Sequence, residues 1–120
     1  MKISILGTDY TILVKKYDEE EAFERRGIDG FCDGMTKEII ACDMTTCKGW
    51  EHETAETIAA SQRQTLRHEI VHAFFNESGL MCNSFTYDGA WAQNEEMVDW
   101  IALQGQKICV AWREAGALDA

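Results

Sequence analysis

The amino-acid sequence predicts an α+β domain in which a small N-terminal β-sheet is followed by two long helices. Up to about residue 44, β-branched and aromatic residues stand in short runs separated by glycine-containing turns, which is typical of strands. From about residue 54 onward, apolar residues recur every three or four positions, which is the period of a helix. The chain has 120 residues, so we expect a single domain over residues 1–120.

Three runs in the N-terminal part have the composition of strands: residues 2–6, 10–15 and 36–44. The sequence Gly7-Thr8-Asp9 between the first two predicts a hairpin turn. The acidic residues 18–26, closed by Gly27, predict either a short helix or an exposed charged loop. Residues 30–34 have the composition of a turn, and residues 45–53 show no periodicity and predict a loop.

The first long helix is predicted over residues 54–77, which contain no glycine or proline. Gly79 just beyond them is a typical C-terminal stop. Ser61 and Gln64 have the spacing of a capping box, which predicts a start nearer Ser61. The stripe that faces the core is predicted at four positions with helical spacing: Leu66, Ile70, Ala73 and Phe74.

A last helix is predicted from Ala90 to about Glu114, after a loop over residues 80–89. Its apolar stripe has helical spacing: Val98, Ile101, Gly105, Ile108 and Trp112. Three tryptophans of this helix are interpreted as core or surface-covering aromatic residues: Trp91, Trp100 and Trp112. The alternative is that, together with Trp50, they line a substrate groove.

The composition restricts the classes of partner. The 21 acidic residues outnumber the 11 basic ones and give a net charge of −10, which repels phosphate backbones, so we expect no nucleic-acid partner. No apolar run reaches the roughly 18 residues of a membrane span, so we expect no membrane partner. Because no signal-peptide core follows Met1, we expect a cytoplasmic protein whose five cysteines are reduced. The sequence leaves the oligomeric state open.

The most informative residues are His68-Glu69-Ile70-Val71-His72, which match H-E-x-x-H inside the first long helix. Two histidines four residues apart lie about 40° apart around a helix, one turn along it, so both imidazoles reach one metal ion. Zn²⁺ accepts imidazole nitrogen, and a catalytic site uses three protein ligands and a water molecule. Glu69 is placed to act on that water as a general base. The alternative is a core helix with two incidental histidines.

A third ligand is predicted in the sequence Asn94-Glu95-Glu96-Met97-Val98-Asp99. Glu95 starts the second helical segment 23 residues after His72, and Asp99 lies one turn further along the same face. Two carboxylates at this spacing can divide the work, because one can ligate zinc while the other accepts a hydrogen bond from a ligating imidazole. The alternative is that they are first-turn acids favoured by the helix dipole.

This combination resembles the gluzincins, metallopeptidases with H-E-x-x-H on one helix and a glutamate ligand on the next. Thermolysin-type enzymes carry N-E-x-x-S-D on the second helix, and this chain matches that pattern except at the serine. The small ImmA/IrrE-type peptidases of phages and mobile elements carry a pattern close to E-x-x-A-N-x-F-A. The corresponding residues of this chain are Glu95, Val98, Asp99, Ile101 and Ala102. Val71 departs from that family, which usually has glycine before the second histidine.

The resemblance implies a minimal zincin fold, with an active-site helix and a ligand-bearing C-terminal helix after the small sheet. It implies Zn²⁺ as the cofactor, with three ligands: His68, His72 and Glu95. Glu69 is implied as the general base on a metal-activated water, and Asp99 and Asn94 as residues that support the ligands by hydrogen bonds. The implied function is zinc-dependent hydrolysis of peptide bonds in an intracellular protein, in a phage or prophage setting.

In such folds the edge strand of the sheet binds an extended protein or peptide substrate by strand addition, and residues 36–44 are the predicted edge. Tyr87 and His52 are candidates for contact with the oxyanion or the substrate, and each also fits an ordinary exposed loop residue. One alternative function is a catalytically idle metal-binding interaction protein, such as a phage accessory or antirepressor-like factor. Another is a helical interaction domain without metal.

Two cysteines and a histidine follow at five-residue intervals and suggest a second metal site: Cys42, Cys47 and His52. A structural zinc site draws its ligands from two such pairs, and the sequence contains no second pair. We therefore interpret these cysteines as reduced, partly buried thiols.

Overall fold

Two hairpins make up the β-sheet in a computed structural model, which describes residues 1–83 and 95–119. The strands of this part of the chain are β1 (Lys2–Ile5), β2 (Thr8–Lys15), β3 (Gly30–Asp33) and β4 (Glu38–Cys42). Their spatial order is β1-β2-β4-β3. β1 pairs antiparallel with β2, and β3 pairs antiparallel with β4. The two hairpins join through β2 and β4, which run parallel, so the sheet is mixed.

The helices lie on both sides of this sheet and are α1 (Glu21–Arg26), α2 (Ala55–Ser78), α3 (Leu80–Asn83) and α4 (Glu95–Glu114). Short 3₁₀ turns span Tyr17–Glu19 and Met44–Thr46. The strands precede the two long helices along the chain, which confirms the predicted α+β class. Within the residues that the structure describes, no helix is both long and apolar enough to cross a membrane.

β4 is an interior strand, so the prediction that residues 36–44 form the edge of the sheet is wrong. It lies between β2 and β3 and pairs with both. All of residues 39–42 are buried, because helices α2 and α4 cover one face of the strand and α1 covers the other. A continuous apolar run without alternation is typical of a strand covered on both faces.

The edge on this side is β3, at residues that the sequence predicted to be a turn. Phe31 and Cys32 pair with Ile40 and Ile39 of β4. The glycines at positions 30 and 34 gave the segment the composition of a turn, but they serve a different purpose at the interface with α2, described below. The short-helix alternative for residues 18–26 is confirmed, because α1 lies there and ends at Gly27 in the left-handed conformation, φ 62°.

α2 begins at Ala55, earlier than the predicted start near Ser61. Thr54 is its N-cap, with a hydroxyl that accepts a hydrogen bond from the Thr57 N–H at 3.1 Å. Because Thr54 caps the helix, Ser61 and Gln64 lie inside α2 and do not form a capping box at its start. The predicted stop is confirmed, since Gly79 adopts φ 83° as the C-cap.

The main core lies between the sheet and helices α2 and α4. The predicted stripe of α2 is confirmed, because all four residues are buried there: Leu66, Ile70, Ala73 and Phe74. A second cluster on the opposite face joins Phe23 of α1 to Ile40 of β4 and to three sulfur-bearing residues: Cys42, Met44 and Cys47. Both cysteines are free thiols and fully or almost fully buried.

α4 meets the core with its C-terminal half. Ile108 of the predicted stripe is buried and Trp112 is partly buried, whereas Ile101 is 52% exposed, which corrects that position. In the N-terminal half the contact with α2 is aromatic, with the Trp100 and Phe75 ring centroids 5.2 Å apart. Ala90, the predicted start of this helix, lies outside the described residues, as does most of the predicted loop over residues 80–89, which begins with α3.

The residues after α4 return to the middle of α2. The Arg67 guanidinium donates to the Ala117 carbonyl at 2.7 Å, and Arg63 forms an ion pair with Asp119. The Trp112 indole N–H donates to the Arg67 carbonyl at 3.3 Å. These contacts hold the helix in place immediately before the H-E-x-x-H residues.

Candidate metal centre

His68 and His72 lie one turn apart on the face of α2 that borders β3. Their Nε2 atoms are 3.1 Å apart, and their ring centroids are 4.8 Å apart with the planes at 70°. The His68 side chain is 66% exposed, whereas His72 is half-buried. The two nitrogens therefore converge on one point at the wall of a cleft.

The spacing of the two nitrogens fits a pair of zinc ligands. Zn–N bonds of about 2.0–2.1 Å at a tetrahedral angle place two nitrogens about 3.3 Å apart. Burial, and then the neighbouring His68, lowers the pKa of His72, which favours the neutral ring that binds a metal. The same 3.1 Å also fits a hydrogen bond between two neutral imidazoles, so zinc affinity distinguishes the two arrangements.

The third predicted ligand, Glu95, and the predicted supporting residue Asp99 lie on α4. Glu95 is the first residue of this helix, and Asp99 follows one turn along it, with their backbone described and their side chains not. Asn94 lies outside the described residues. Among the side chains that are described, no group of three His, Cys, Asp or Glu residues is placed to hold a metal ion. The histidine pair alone supplies two ligands.

Glu69 extends from α2 into the junction with β3. Its side chain is 8% exposed, and it is the only buried acidic or basic residue in the described part of the chain. Burial raises the pKa of its carboxyl group, against smaller lowering effects of His68 and then Arg26. The Glu69 Oε1 atom lies 4.0 Å from the His68 Nε2 atom. A carboxyl group with a raised pKa beside the imidazole pair is suited to accept and release a proton.

Two glycines at the ends of β3 allow α2 to approach the strand closely. A Cβ at Gly30 would lie 2.9 Å from the Thr65 Cγ2 atom and 3.4 Å from the Glu69 Cγ atom. A Cβ at Gly34 would lie 2.9 Å from the Asn76 Nδ2 atom. At Gly30 the neighbours include the Ile40 backbone carbonyl, also at 2.9 Å, so glycine is required there. At Gly34 the close atom is the end of the Asn76 side chain, which can move.

Two clefts flank His68 and Glu69. The larger, of about 750 Å³, follows β3 and is lined by Arg26, Ile28, Gly30, Phe31, Cys32, Asp33, Gly34, Met35, Lys37, His68, Glu69, His72, Asn76 and Met81. The smaller, of about 490 Å³, lies toward the start of α2 and is lined by Ile28, Asp29, Gly30, Trp50, Ser61, Gln64, Thr65, His68 and Glu69. Because the two clefts share four lining residues, they form one groove, which follows β3 and runs past His68.

The structure places the other predicted residues in different surroundings. His52 lies in an exposed turn before α2 and, as far as the groove is described, does not line it. Tyr87 and Trp91 lie outside the described residues. Trp50 lines the smaller cleft, whereas Trp100 and Trp112, which the groove alternative grouped with it, pack against the main core.

Sequence reasoning missed two residues beside the histidines. Cys32 of β3 accepts a hydrogen bond from the Asn76 Nδ2 atom, at 3.6 Å to its sulfur. Burial, followed by the charge of Glu69, raises the pKa of the Cys32 thiol to about 12, so it stays neutral. Asn76 continues the four-residue spacing of His68 and His72 on the same helix face, and that spacing could have identified it. Cys32 gave no signal, because its strand was predicted to be a turn.

Comparisons of the chain with protein-family models, with curated proteins and with solved structures gave no match. The chemistry of the groove therefore rests on its own side chains. These are an imidazole pair with the spacing of metal ligands, a buried carboxyl group beside it, and an edge strand along the groove.

Proposed function

We propose that this protein is a zinc-dependent metallopeptidase of the gluzincin type, which hydrolyses a peptide bond in an extended segment of another intracellular protein. The observation that carries the proposal is the arrangement of His68, Glu69 and His72. Two imidazole nitrogens lie 3.1 Å apart, and a carboxyl group between them in sequence is buried against the edge strand. An incidental histidine pair does not require a buried glutamate beside it, because burying an unpaired carboxylate costs free energy.

His68 and His72 are the residues that would hold the metal, and Glu95 is the proposed third ligand. When bound, zinc supplies Lewis-acid chemistry, which polarises a carbonyl oxygen and lowers the pKa of a water molecule. Asp99, one turn beyond Glu95 on α4, is proposed to accept a hydrogen bond from one of the imidazoles and so fix its tautomer.

Glu69 is proposed as the general base and acid. It takes a proton from the attacking water and later delivers it to the leaving amine. Burial raises the pKa of its carboxyl group, which brings the group closer to the range where both transfers proceed at neutral pH. Its Cγ atom lies close to Gly30 of β3, the strand that would hold the substrate, and its Oε1 atom lies 4.0 Å from the His68 Nε2 atom.

β3 is the proposed substrate-binding strand. The Cys42 N–H donates to the Asp29 carbonyl at 2.7 Å, so polar backbone groups of residues 29, 31 and 33 face β4. By the same alternation, the N–H and C=O groups of Gly30 and Cys32 face the opposite edge. In residues 1–83 and 95–119, no strand pairs with that edge. An extended peptide that pairs there would place its backbone beside His68 and Glu69.

Metal content and cleavage together test the proposal. Purified protein, loaded with Zn²⁺ and desalted, is expected to retain about one zinc per chain by mass spectrometry of the metal, and His68→Ala is expected to lose it. Cleavage is measured with a library of fluorescence-quenched octapeptides. Glu69→Gln is expected to retain zinc and to cleave at least about 100-fold more slowly, the usual contribution of a general base. His52→Ala, which alters a histidine outside the described groove lining, is the matched control and should leave both readouts unchanged.

Three outcomes contradict the proposal. Absence of stoichiometric zinc removes the metal centre. Stoichiometric zinc without cleavage of any peptide favours the catalytically idle metal-binding alternative. Cleavage that survives Glu69→Gln at the wild-type rate removes Glu69 as the base.

A further inference from the structure

Arg26 reaches the groove from the side of the sheet opposite to the histidines. It is the last residue of α1, and its guanidinium carbon lies 6.0 Å from the centroid of the Phe31 ring on β3. Phe31 packs against the cluster beneath α1, whereas Cys32 packs on the α2 side. Arg26 therefore lies at the open edge of the strand, where it lines the larger cleft together with His68.

Among the residues that the structure describes, the guanidinium of Arg26 forms no ion pair, although its charge acts on Glu69 at longer range. Of the other charged residues that line the larger cleft, Lys37 forms an ion pair with Glu77, and Asp33 accepts hydrogen bonds from two N–H groups of the turn that follows it. Glu69 is buried. Arg26 has no carboxylate within ion-pair distance in the part of the chain that the structure describes.

The geometry of a β-strand determines which side chains of a bound peptide can contact Arg26. Alternate side chains of an extended peptide point to opposite faces of the sheet that it joins. If one set faces the histidines, the other set lies on the face where Phe31 and Arg26 stand. A side chain directly opposite Phe31 would have its Cβ about 5 Å from the Phe31 Cβ, within reach of the guanidinium.

We propose that Arg26 binds an aspartate or glutamate side chain of the peptide that pairs with β3, and so selects acidic substrates. The inference rests on the proposed function, because it takes β3 as the substrate strand. A guanidinium offers forked donors that match the two oxygens of a carboxylate, and it retains them while it lies over an aromatic ring. The proposal assigns a specificity-determining contact on the face of the sheet away from the metal centre.

The net charge of the chain, −10, opposes an acidic peptide at long range. At 0.15 M salt this repulsion is screened beyond about 8 Å, so the direct contact with Arg26 determines the local preference. An exposed ion pair is worth up to about 1 kcal/mol, which is a preference of up to about fivefold. The preference should shrink as salt is raised.

A positional octapeptide library tests the contact. Each sublibrary fixes Glu, Gln or Lys at one position, and cleavage is measured with the zinc-loaded protein at 0.15 M and 0.5 M salt. Wild type is expected to favour Glu over Lys at one position by about fivefold at the lower salt concentration, and Arg26→Glu is expected to reverse the order. Arg25→Glu is the matched control, because Arg25 lies in the same helix turn, pairs with Glu21 and does not line the described groove. It should keep the wild-type order.

Binding separates this inference from the proposed function. Affinity of the same fixed-position sublibraries for the zinc-loaded Glu69→Gln variant is measured by fluorescence anisotropy, with and without Arg26→Glu. A charge preference that depends on Arg26 in binding, with no cleavage by wild type, overturns the peptidase and retains the acidic-peptide site. Cleavage by wild type with the same charge order in Arg26→Glu overturns the role of Arg26 and retains the peptidase. Absence of any charge preference in both assays overturns the inference.

Discussion

Gly30 and Thr65 pack against each other where β3 crosses α2, and they approach this closely because Gly30 has no side chain. A Cβ at Gly30 would lie 3.4 Å from the Glu69 Cγ atom and 2.9 Å from both the Thr65 Cγ2 atom and the Ile40 carbonyl oxygen. The edge strand and the helix that carries the histidines are therefore set at their distance by one missing methyl group. The proposed catalytic carboxyl group lies directly in that interface.

We expect Gly30→Ala to shift β3 relative to both α2 and β4, because the added Cβ would clash with Thr65 and with the Ile40 carbonyl. Overpacking of this size typically costs about 1–3 kcal/mol of unfolding free energy, to be measured by urea denaturation. Zinc retention should persist, because His68 and His72 are both on α2, whereas cleavage should fall as Glu69 shifts relative to β3. Gly105→Ala is the matched control, since Gly105 is in α4 with nothing near its missing Cβ, and it should be neutral or stabilise by up to about 1 kcal/mol. Equal stability of Gly30→Ala and wild type would contradict the close approach.

Zinc should stabilise the folded chain by mass action. At a free zinc concentration one hundred times the dissociation constant, the expected gain is about 2.7 kcal/mol, seen as a rise in the thermal midpoint that a chelator reverses. His72→Ala should abolish the gain, because it removes one of two nitrogens that lie 3.1 Å apart. His52→Ala should keep it. A midpoint that does not respond to zinc would favour the hydrogen-bonded histidine pair without metal.

Glu77 predicts a pH dependence of stability. Its carboxylate accepts hydrogen bonds from Lys37, from Tyr10 at 2.8 Å and from Thr8 at 3.2 Å, and the bond from Lys37 is the largest of the effects that lower its pKa. A carboxyl group with a lowered folded-state pKa stabilises the fold at pH values above its unfolded pKa of about 4.3. That stabilisation is lost as the pH falls through the lowered pKa.

Glu77→Gln is therefore expected to cost about 1.5–3 kcal/mol at pH 7, the usual contribution of a hydrogen bond to a charged group. The difference from wild type should narrow progressively below about pH 4, as measured by urea denaturation across pH. Glu24→Gln serves as the control, because the Glu24 side chain is 73% exposed and its ion pair with Lys48 is 4.0 Å long. A pH-independent difference for Glu77→Gln would show that packing, rather than charge, explains the loss.

Thiol labelling checks the packing beneath α1. Cys109 is exposed, whereas Cys42 is fully buried and burial raises the pKa of its thiol to about 12. An aromatic disulfide reagent at pH 7.5 should label Cys109 within minutes and Cys42 only at the rate of unfolding, as mapped by peptide mass spectrometry. Rapid labelling of Cys42 in the native protein would contradict the second cluster.

The helical half of the fold could be predicted from the sequence because its signals are periodic and local. The apolar stripe from Leu66 to Phe74 and the stop at Gly79 can both be recognised from the spacing of residues along the chain. β3 could not be predicted, because Gly30 and Gly34 serve a contact with α2 that no local pattern encodes. Because β3 was not predicted, β4 was predicted to be the edge strand, whereas it is an interior strand.

The candidate site likewise contains residues that the sequence could predict and residues that it could not. The histidine pair and Glu69 were predictable, since a helix fixes the relation of residues four apart. The sequence could not predict that three further residues line the same groove: Arg26, Cys32 and Trp50. They belong to separate elements, which come together only when the sheet forms. Their role depends on long-range packing rather than on spacing along the chain.

The parallel pairing of β2 with β4 has a consequence for the order of folding. Each antiparallel hairpin closes a short loop, whereas Thr11 must find Glu38 across the whole α1–β3 segment. Contacts between distant parts of a chain form late, because loop closure costs entropy before the contact contributes. We therefore expect the two hairpins to form first. The slow step is the pairing of β2 with β4, together with the packing of α2 on the sheet. The groove belongs to the second hairpin and α2, so it comes into existence only at that last step.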